Sequence, residues 1–284
     1  MRIAARLLLA ASLCSAICTA LAEQPAAAAS AEPASRVMGA PGARKVDSID
    51  ASRAERVSGY AQMSRDIQAM QDDPAVNPAT FWLLDGQTLW EQPAGEKKAS
   101  CSSCHGDAAQ SMKGVAARYP LVREGRIVNL EAAINDCRTQ RQGAPALGYE
   151  SKPLLALTTY VASQSRGMPI VVEETPDNRE RLTAGRARFD QRLGQLNLSC
   201  AQCHVENAGL KLGGSVIPQG HPTGYPLYRL EWQSVGSLAR RLRNCVSGVR
   251  AEMWPAGSQE LLELELYLAW RARGMAIETP AVRP

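Results

Sequence analysis

Two short stretches of the chain have residue types and spacing suited to redox chemistry: CSSCH from Cys101 to His105 and CAQCH from Cys200 to His204. In each stretch a histidine directly follows the second of two thiols. This spacing is typical of c-type haem, in which the thiols attach the porphyrin and the histidine gives the iron an axial nitrogen. A zinc site or a redox disulfide would leave both histidines unexplained. The sequence therefore predicts two covalently bound c-type haems, with His105 and His204 as iron ligands. The attaching thiols would be Cys101, Cys104, Cys200 and Cys203.

The first residues are typical of a secretory leader. A basic start and an apolar run from Leu7 to Thr19 precede the small residues Ala20-Leu21-Ala22. We therefore expect a signal peptide at 1–22, export to the periplasm, and loss of Cys14 and Cys18 with the leader. No later stretch is long and apolar enough to predict a membrane span. The net charge of +4 gives no reason to expect a nucleic acid or an anionic membrane as a partner.

The rest of the chain is an internal duplication. A glycine and an aromatic residue precede both motifs at the same spacing, and several later segments also match. The matching pairs are Gly86 and Gly185, Trp90 and Phe189, Tyr119-Pro120-Leu121 and Tyr225-Pro226-Leu227, Cys137 and Cys245, and Leu154–Ile170 and Leu261–Ile277. A repeat of this length is the size of a domain. The sequence therefore predicts a mainly α fold of two tandem cytochrome c-like haem domains.

The composition gives approximate boundaries for these domains. Residues 23–50, rich in Ala, Pro, Ser and Gly, are expected to be a flexible segment. Helix-forming residues dominate from Ser52 to Met70, and prolines follow soon afterwards. We place the first haem domain at 51–175 and the second at 176–284.

Each iron needs a sixth ligand or an open coordination site. His221 is the only histidine outside the motifs, and we expect it to be structural or to lie near a haem edge. Met168 and Met275 occupy matching places at the ends of the closing helices. Core packing is the simpler interpretation of that pair.

Cys137 and Cys245 are stronger candidates for the sixth ligand, because apolar residues precede both at helical spacing. These residues are Ile127, Leu130 and Ile134 in the first repeat and Val235, Leu238 and Leu242 in the second. The pattern predicts that both thiols lie on buried helix faces, each facing its own haem, with His/Cys ligation. A disulfide between the two cysteines, or simple burial of both, are the alternatives.

The repeats differ at a position that could bind a substrate. Arg241 precedes Cys245 by one helical turn, whereas Ala133 occupies the corresponding place in the first repeat. Guanidinium groups favour a neighbouring thiolate and bind oxyanions through paired hydrogen bonds. A solvated basic helix face is the alternative, and it suits Arg240 and Arg243. We predict Cys245 as the catalytic nucleophile and Arg241 as the substrate-binding residue.

Two CxxCH domains, each with a later cysteine, together with the segment RLRNC ending at Cys245, resemble the SoxA family of bacterial sulfur oxidation. The resemblance extends from about Ser52 to Ile277. It implies an L-cysteine S-thiosulfotransferase that joins thiosulfate to a cysteine of the SoxYZ carrier. It further implies that Cys245 is a haem ligand, often a persulfide, and the active-site residue, and that Arg241 binds substrate. Electrons would pass through haem to a SoxX subunit and then to a soluble cytochrome c.

Other functions fit part of the same pattern. A diheme thiosulfate dehydrogenase would join two thiosulfates into tetrathionate and also uses His/Cys haem. A non-catalytic diheme electron carrier would need neither Arg241 nor a substrate. A diheme peroxidase fits least well, because it would need an open site and a His or Met partner, for which His221 is the candidate.

Overall fold

The computed structural model describes residues 56–284, which belong to one compact unit. The predicted leader at 1–22 and the predicted flexible segment at 23–50 lie outside the described residues. The described helices are α1 (Arg65–Asp72), α2 (Thr80–Glu91), α3 (Cys101–His105), α4 (Ala108–Ser111), α5 (Leu130–Cys137), α6 (Lys152–Ser163), α7 (Arg179–Asp190), α8 (Leu238–Gly248) and α9 (Gln259–Arg271). The strands are β1 (Leu121–Arg123), β2 (Arg126–Val128), β3 (Lys211–Leu212), β4 (Ser215–Val216), β5 (Leu227–Arg229), β6 (Ser234–Gly236) and β7 (Ala281–Arg283). No helix of the described part is long and apolar enough to cross a membrane.

Helix α1 is shorter than the run of helix formers from Ser52 suggested. Residues Gly59–Gln62 form a 3-10 turn, and α1 begins only after Ser64, whose hydroxyl accepts a hydrogen bond from the Ile67 amide. Such a cap satisfies a backbone donor that has no partner inside the helix. The helix ends at Asp72, ahead of the prolines, as predicted.

Each repeat is built on one pair of closely crossing helices: α2 packs against α6 in the first repeat, and α7 packs against α9 in the second. Glycine makes this approach possible. A Cβ on Gly86 would lie 2.3 Å from the carbonyl oxygen of Ala156, and one on Gly185 would lie 2.1 Å from that of Glu263. The matched glycines of the sequence therefore occupy equivalent places in the duplicated structure.

Short strands connect the haem motifs to the later cysteines. In the first repeat β1 and β2 form a hairpin, and in the second β5 and β6 form the equivalent one. Strand β7 adds to β5 in parallel, which places Arg283 beside Arg229. One face of this sheet is apolar, and its Tyr228, Val235 and Val282 pack against Ala79 and Leu155. The opposite face is turned toward the second haem motif.

The strands correct the predicted helical pattern around the later cysteines. Ile127 lies in β2 and Val235 lies in β6, so neither is on a helix. Helix α5 begins after Asn129 and α8 begins after Ser237, and each of these side chains caps the first turn. Only the last two apolar positions of each pattern are therefore helical.

The two cysteine helices also end differently. Cys137 is the last residue of α5, and a π-helical turn at Arg138–Gln142 follows it. Helix α8 instead continues through Cys245 to Gly248. The first repeat has an extra residue here, since Gly143 and Arg250 make equivalent contacts with Glu96 and Gln195. Single inserted residues are commonly accommodated as π-bulges.

The closing segments of the two repeats pair with each other reciprocally. The Gly167 amide donates to the Ile277 carbonyl at 2.8 Å, and the Gly274 amide donates to the Ile170 carbonyl at 2.7 Å. These positions are equivalent in the two repeats, so the glycine amide of each segment donates to the isoleucine carbonyl of the other. We call the segments 167–170 and 274–277 the seam. They are related by an approximate two-fold axis beside the Pro169–Ala276 bridge.

Both candidate methionines lie at the seam. The Met275 carbonyl accepts from the Ile170 amide and the Met168 carbonyl accepts from the Ile277 amide, each at 2.9 Å. The Met275 side chain packs on an apolar cluster that contains Ile170 and Ile277. Core packing is therefore confirmed as the role of Met275.

Candidate functional site

A cavity of about 430 Å³ lies in the second repeat, and residues of the segment 59–67 complete part of its wall. Its lining brings together residues that are far apart in sequence: Cys200 and His204 of the motif, and Arg241 and Cys245 of α8. Apolar side chains of Phe189 and four leucines complete much of the wall: Leu227, Leu238, Leu242 and Leu268. The sequence-predicted site residues of this repeat therefore share one partly apolar chamber.

His204 is held in a fixed orientation at the cavity wall. Its Nδ1 lies 2.7 Å from the Pro218 carbonyl oxygen, which can only accept, so Nδ1 carries the proton. Burial lowers the pKa of His204, with a smaller contribution from Arg241 and Arg271, while the Pro218 contact opposes the shift. The shift favours the neutral ring, whose Nε2 lone pair is available to a metal. A hydrogen bond of this kind commonly orients ligating histidines.

No disulfide joins the cysteines of the described residues. The free thiols are Cys101, Cys104, Cys137, Cys200, Cys203 and Cys245. Each later cysteine lies near the motif of its own repeat. Burial, followed by the nearby Cys245, raises the pKa of Cys200 to about 11. Burial, followed by the nearby Cys137, raises the pKa of Cys101. The alternative of a Cys137–Cys245 disulfide is therefore wrong for this structure.

The arginines of α8 have different surroundings. Arg240 donates to Ser234 and lies 4.4 Å from the centre of the Trp232 ring, and Arg243 is exposed. Arg241 lines the cavity, and within residues 56–284 its guanidinium makes no hydrogen bond or ion pair. A partly buried cation without a counter-ion is well placed to bind an anion.

The first repeat presents a more open arrangement of the same residues. Cys104, His105 and Cys137 are exposed, whereas Cys203, His204 and Cys245 are partly buried. The prediction of a buried helix face is therefore wrong for Cys137. The reason lies in the chain length after the motif, because segment 205–224 of the second repeat is longer than 106–118 of the first. The additional residues include the β3–β4 hairpin, whose Gly214, Ser215 and Val216 line the cavity.

His221 belongs to the second site. It lines the cavity, and its Nε2 lies 3.2 Å from the Gln219 side chain while its buried Nδ1 makes no hydrogen bond with the described residues. Burial, followed by the positive charge of Arg271, lowers the pKa of His221 to about 3. The imidazole is therefore neutral. It lines the same cavity as His204, and its expected role, structural or near a haem edge, stays a prediction.

Sequence reasoning missed several residues of this cavity. Pro218, Tyr225, Arg229 and Arg283 also line it or orient its histidine. Only the matched Tyr-Pro-Leu segments carried a signal for any of them. Pro218 and Arg283 come from a loop and a C-terminal strand that have no counterpart in the first repeat, so internal comparison could not indicate them.

The donor set fits a haem. Cys200 of the CxxC pair, a histidine with a fixed tautomer, and Cys245 on a separate helix line a partly apolar chamber. Haem iron accepts histidine nitrogen and cysteine sulfur as axial ligands. Zinc would require these groups as a compact tetrahedron, and the described residues contain no cluster of three or more His, Cys, Asp or Glu suited to a metal ion.

The model of the SoxA/TsdA cytochrome c domain matches the chain twice, at residues 85–170 and 184–277. The chain belongs to the SoxA/TsdA cytochrome c family. The double match confirms the internal duplication, the mainly α fold and haem as the cofactor of the family. Its two parts contain the two CxxCH motifs and the two later cysteines.

Individual family members agree with this assignment. The chain is 36% identical over 235 residues to the L-cysteine S-thiosulfotransferase subunit SoxA of Pseudaminobacter salicylatoxidans, covering 81% of both chains. It is 34% identical to the same subunit of Rhodovulum sulfidophilum, covering 80% of this chain and 79% of that one. The structure matches SoxXA of P. pantotrophus with a TM-score of 0.78 at 32% identity, covering 81% of this chain and 87% of that one.

Proposed function

We propose that this chain is the SoxA-type subunit of a periplasmic L-cysteine S-thiosulfotransferase. One observation carries the proposal beyond family membership: Arg241, without a partner among the described residues, lines the same cavity as Cys245 and His204. A thiosulfate ion carries two negative charges, and its sulfonate oxygens suit a guanidinium. The cavity therefore combines a sulfur nucleophile with a clamp for a sulfur oxyanion.

Two haems would be held by the CxxCH motifs. Cys101 and Cys104 would attach one and Cys200 and Cys203 the other, with His105 and His204 as axial ligands. Cys137 and Cys245 would each give the iron of their own repeat a sulfur ligand. When bound, haem iron supplies one-electron acceptance and transfer, and a thiolate ligand lowers its reduction potential.

The reaction is an oxidative coupling. A carrier cysteine thiol and thiosulfate form one S–S bond, giving a cysteine S-thiosulfonate, and the thiol proton and two electrons leave. The SoxYZ complex would provide the carrier cysteine. The electrons would pass to a SoxX subunit and then to a soluble cytochrome c, which is the oxidant.

Two residues of the second repeat would have different roles in this reaction. Arg241 would bind the sulfonate end of thiosulfate and leave its terminal sulfur free to react. Cys245 would be the nucleophile on which sulfur is held before transfer. The first repeat has Ala133 where the second has Arg241, so we assign no substrate to its open site.

The proposal is tested with purified protein, its cytochrome partner, the SoxYZ carrier, thiosulfate and oxidised cytochrome c. We expect cytochrome c reduction that requires the carrier, together with a carrier mass increased by one thiosulfate. Tetrathionate formation at a comparable rate without carrier would instead support a thiosulfate dehydrogenase. Absence of any thiosulfate-dependent reduction would leave an electron carrier as the function.

A further inference from the structure

The matched Tyr-Pro-Leu segments extend further than the three residues that first indicate them. The first repeat reads YPLVR from Tyr119 to Arg123, and the second reads YPLYR from Tyr225 to Arg229. In both repeats the leucine begins a strand and the arginine ends it. Each haem domain therefore has a tyrosine and an arginine at equivalent places in the structure.

Packing explains the middle of this segment, and in the first repeat the Tyr119 ring as well, but not the polar groups at its ends. Leu227 is 3% exposed and belongs to the wall of the cavity. The Tyr225 hydroxyl makes no hydrogen bond with the described residues, although its ring lines the same cavity. In the first repeat the Arg123 guanidinium donates to the Tyr119 hydroxyl at 3.3 Å. The polar ends of the segment therefore contact each other in the first repeat, and in the second repeat both ends line the cavity.

The duplication separates two kinds of residue. Arg241 stands in only one repeat and so belongs to a task that only that repeat performs. The tyrosine and the arginine stand in both, as do the CxxCH motifs and the later cysteines. A task common to both repeats is the binding of the haem itself.

Tyr225 and Arg229 line the second cavity, and the binding of a haem there needs more than the motif and Cys245 provide. Cys200 and Cys203 would attach the porphyrin, and His204 and Cys245 would hold its iron. A c-type haem also carries two propionate carboxylates, for which these four residues provide no hydrogen-bond donor. Burying carboxylates is costly unless donors such as arginine or a tyrosine hydroxyl neutralise them.

Arg229 is suited to this task by its position on the sheet. It projects from β5 on the side of Leu227, into the cavity, while Tyr228 between them faces the apolar core. It ion-pairs with the exposed Glu231 at 2.8 Å, a contact that leaves other guanidinium N–H groups available. Arg283 also lines the cavity, but Glu278 and Gln71 already engage its guanidinium and it has no counterpart in the first repeat.

We propose that the Tyr-Arg pair at the two ends of each Tyr-Pro-Leu segment binds the propionates of that repeat's haem: Tyr225 with Arg229 in the second repeat, and Tyr119 with Arg123 in the first. These are positioning residues, and they tune each haem's reduction potential through the charge on its propionates. The inference rests on the haem-binding part of the proposed function and is independent of thiosulfate chemistry.

The test measures the reduction potential of each haem against pH in the intact complex. Arg229→Leu is expected to keep the haem, because the thioether bonds hold it. It is also expected to lower the potential of the second haem and make that potential steeper with pH, because an unpaired propionate then titrates. Tyr225→Phe should steepen the pH dependence with a smaller fall in potential, and Arg229→Lys should lie between Arg229→Leu and the parent. Arg123→Leu should affect only the first haem.

Arg243→Leu is the matched control, since it removes an exposed arginine of the same repeat and should change neither potential. An unchanged potential and pH slope in Arg229→Leu, or an equal change in Arg243→Leu, would overturn the inference. If Arg229→Leu does not accumulate, Arg229→Lys and Tyr225→Phe decide the question, and unchanged propionate bands in their resonance Raman spectra would refute it. Haem content of the parent is measured first, so that failure of haem binding itself is recognised separately.

Discussion

Arg241 differs from its neighbours on α8 by what surrounds its guanidinium. Arg240 is stacked on Trp232 and Arg243 is in solvent, but Arg241 faces the cavity without an anionic partner among the described residues. Three arginines in a run of four residues thus have three different environments. The spacing of Arg241 from Cys245 was enough to single it out from the sequence, because residues four apart share a helix face.

Replacing Arg241 should reduce the stabilisation of the transition state for thiosulfate coupling, and so slow the reaction. A hydrogen bond to a charged group contributes about 1.5–3 kcal/mol, so Arg241→Ala is expected to lower kcat/KM for thiosulfate by roughly 10- to 100-fold. Arg243→Ala is the matched control and should retain activity within about twofold. Carrier-dependent reduction of cytochrome c measures both, and equal losses in the two variants would refute a specific anion clamp.

The two later cysteines should respond differently to substitution. Cys245→Ala removes the proposed nucleophile and is expected to reduce carrier-dependent turnover to background, whereas Cys137→Ala should leave thiosulfate coupling measurable. Both variants should keep the mass of two haems, because the CxxCH thiols are intact. Turnover together with intact mass spectrometry checks this. Full activity in Cys245→Ala would exclude its catalytic role.

Residues contributed by single loops could not be predicted in the same way. Pro218 fixes the His204 tautomer from the segment that only the second repeat contains, and Arg283 reaches the cavity from the last strand. Their contribution depends on tertiary contacts between segments that are far apart in sequence, and no local sequence pattern predicts those contacts. The CxxCH motifs, in contrast, are complete within five residues.

At the level of elements, the closing helices were the most predictable part of the fold. The matched closing segments of the two repeats indicated them, and α6 and α9 lie there. The short strands were not foreseen, because three residues are too few for an alternating pattern to stand out. As a result Ile127 and Val235 were assigned to helices that begin only after them.

The crossing of α7 and α9 should be intolerant of a single added methyl group. In Gly185→Ala the new Cβ would meet the Glu263 carbonyl oxygen at 2.1 Å and the Tyr267 Cβ at 2.7 Å. Backbone separation of the helices would be required, at a cost of roughly 3 kcal/mol, or about 10 °C in Tm. Gly148→Ala is the control, since nothing lies near that position. Thermal unfolding of both haem-loaded variants measures the difference, and equal Tm values would contradict the proposed close packing.

At the level of the whole molecule, a carboxyl pair is buried where the repeats meet. Glu265 of α9 is 4% exposed and accepts a hydrogen bond from the Asn129 amide at 3.0 Å. Burial, followed by repulsion from Glu131 and opposed by Asn129, raises the pKa of Glu265 to about 8. Burial likewise raises the pKa of Glu131 to about 7, with Glu150 adding to the effect.

This pair should make folding stability depend on pH. An unfolded carboxyl ionises near its ordinary pKa of 4.5, whereas the folded pair holds its protons to higher pH. The free energy of unfolding therefore falls as pH rises from about 4.5 to about 8, and the loss is complete above that range. Glu265→Gln is expected to flatten the profile and raise Tm by several degrees near pH 8. Glu180→Gln, at an exposed site, should leave the slope intact; a parent Tm that does not fall over this range would refute the prediction.

The reciprocal contacts at the seam have the symmetry of a homodimer interface, although both halves belong to one polypeptide. The hydrogen bonds from Gly167 to Ile277 and from Gly274 to Ile170 join equivalent residues. Each repeat therefore contacts the other as one subunit of a symmetric dimer contacts its partner. An ancestral single-haem protein that paired with its twin would leave this arrangement after its gene doubled and fused. Within one chain the two halves need not be identical, so Arg241 can stand beside the second sulfur while Ala133 occupies the equivalent place in the first repeat.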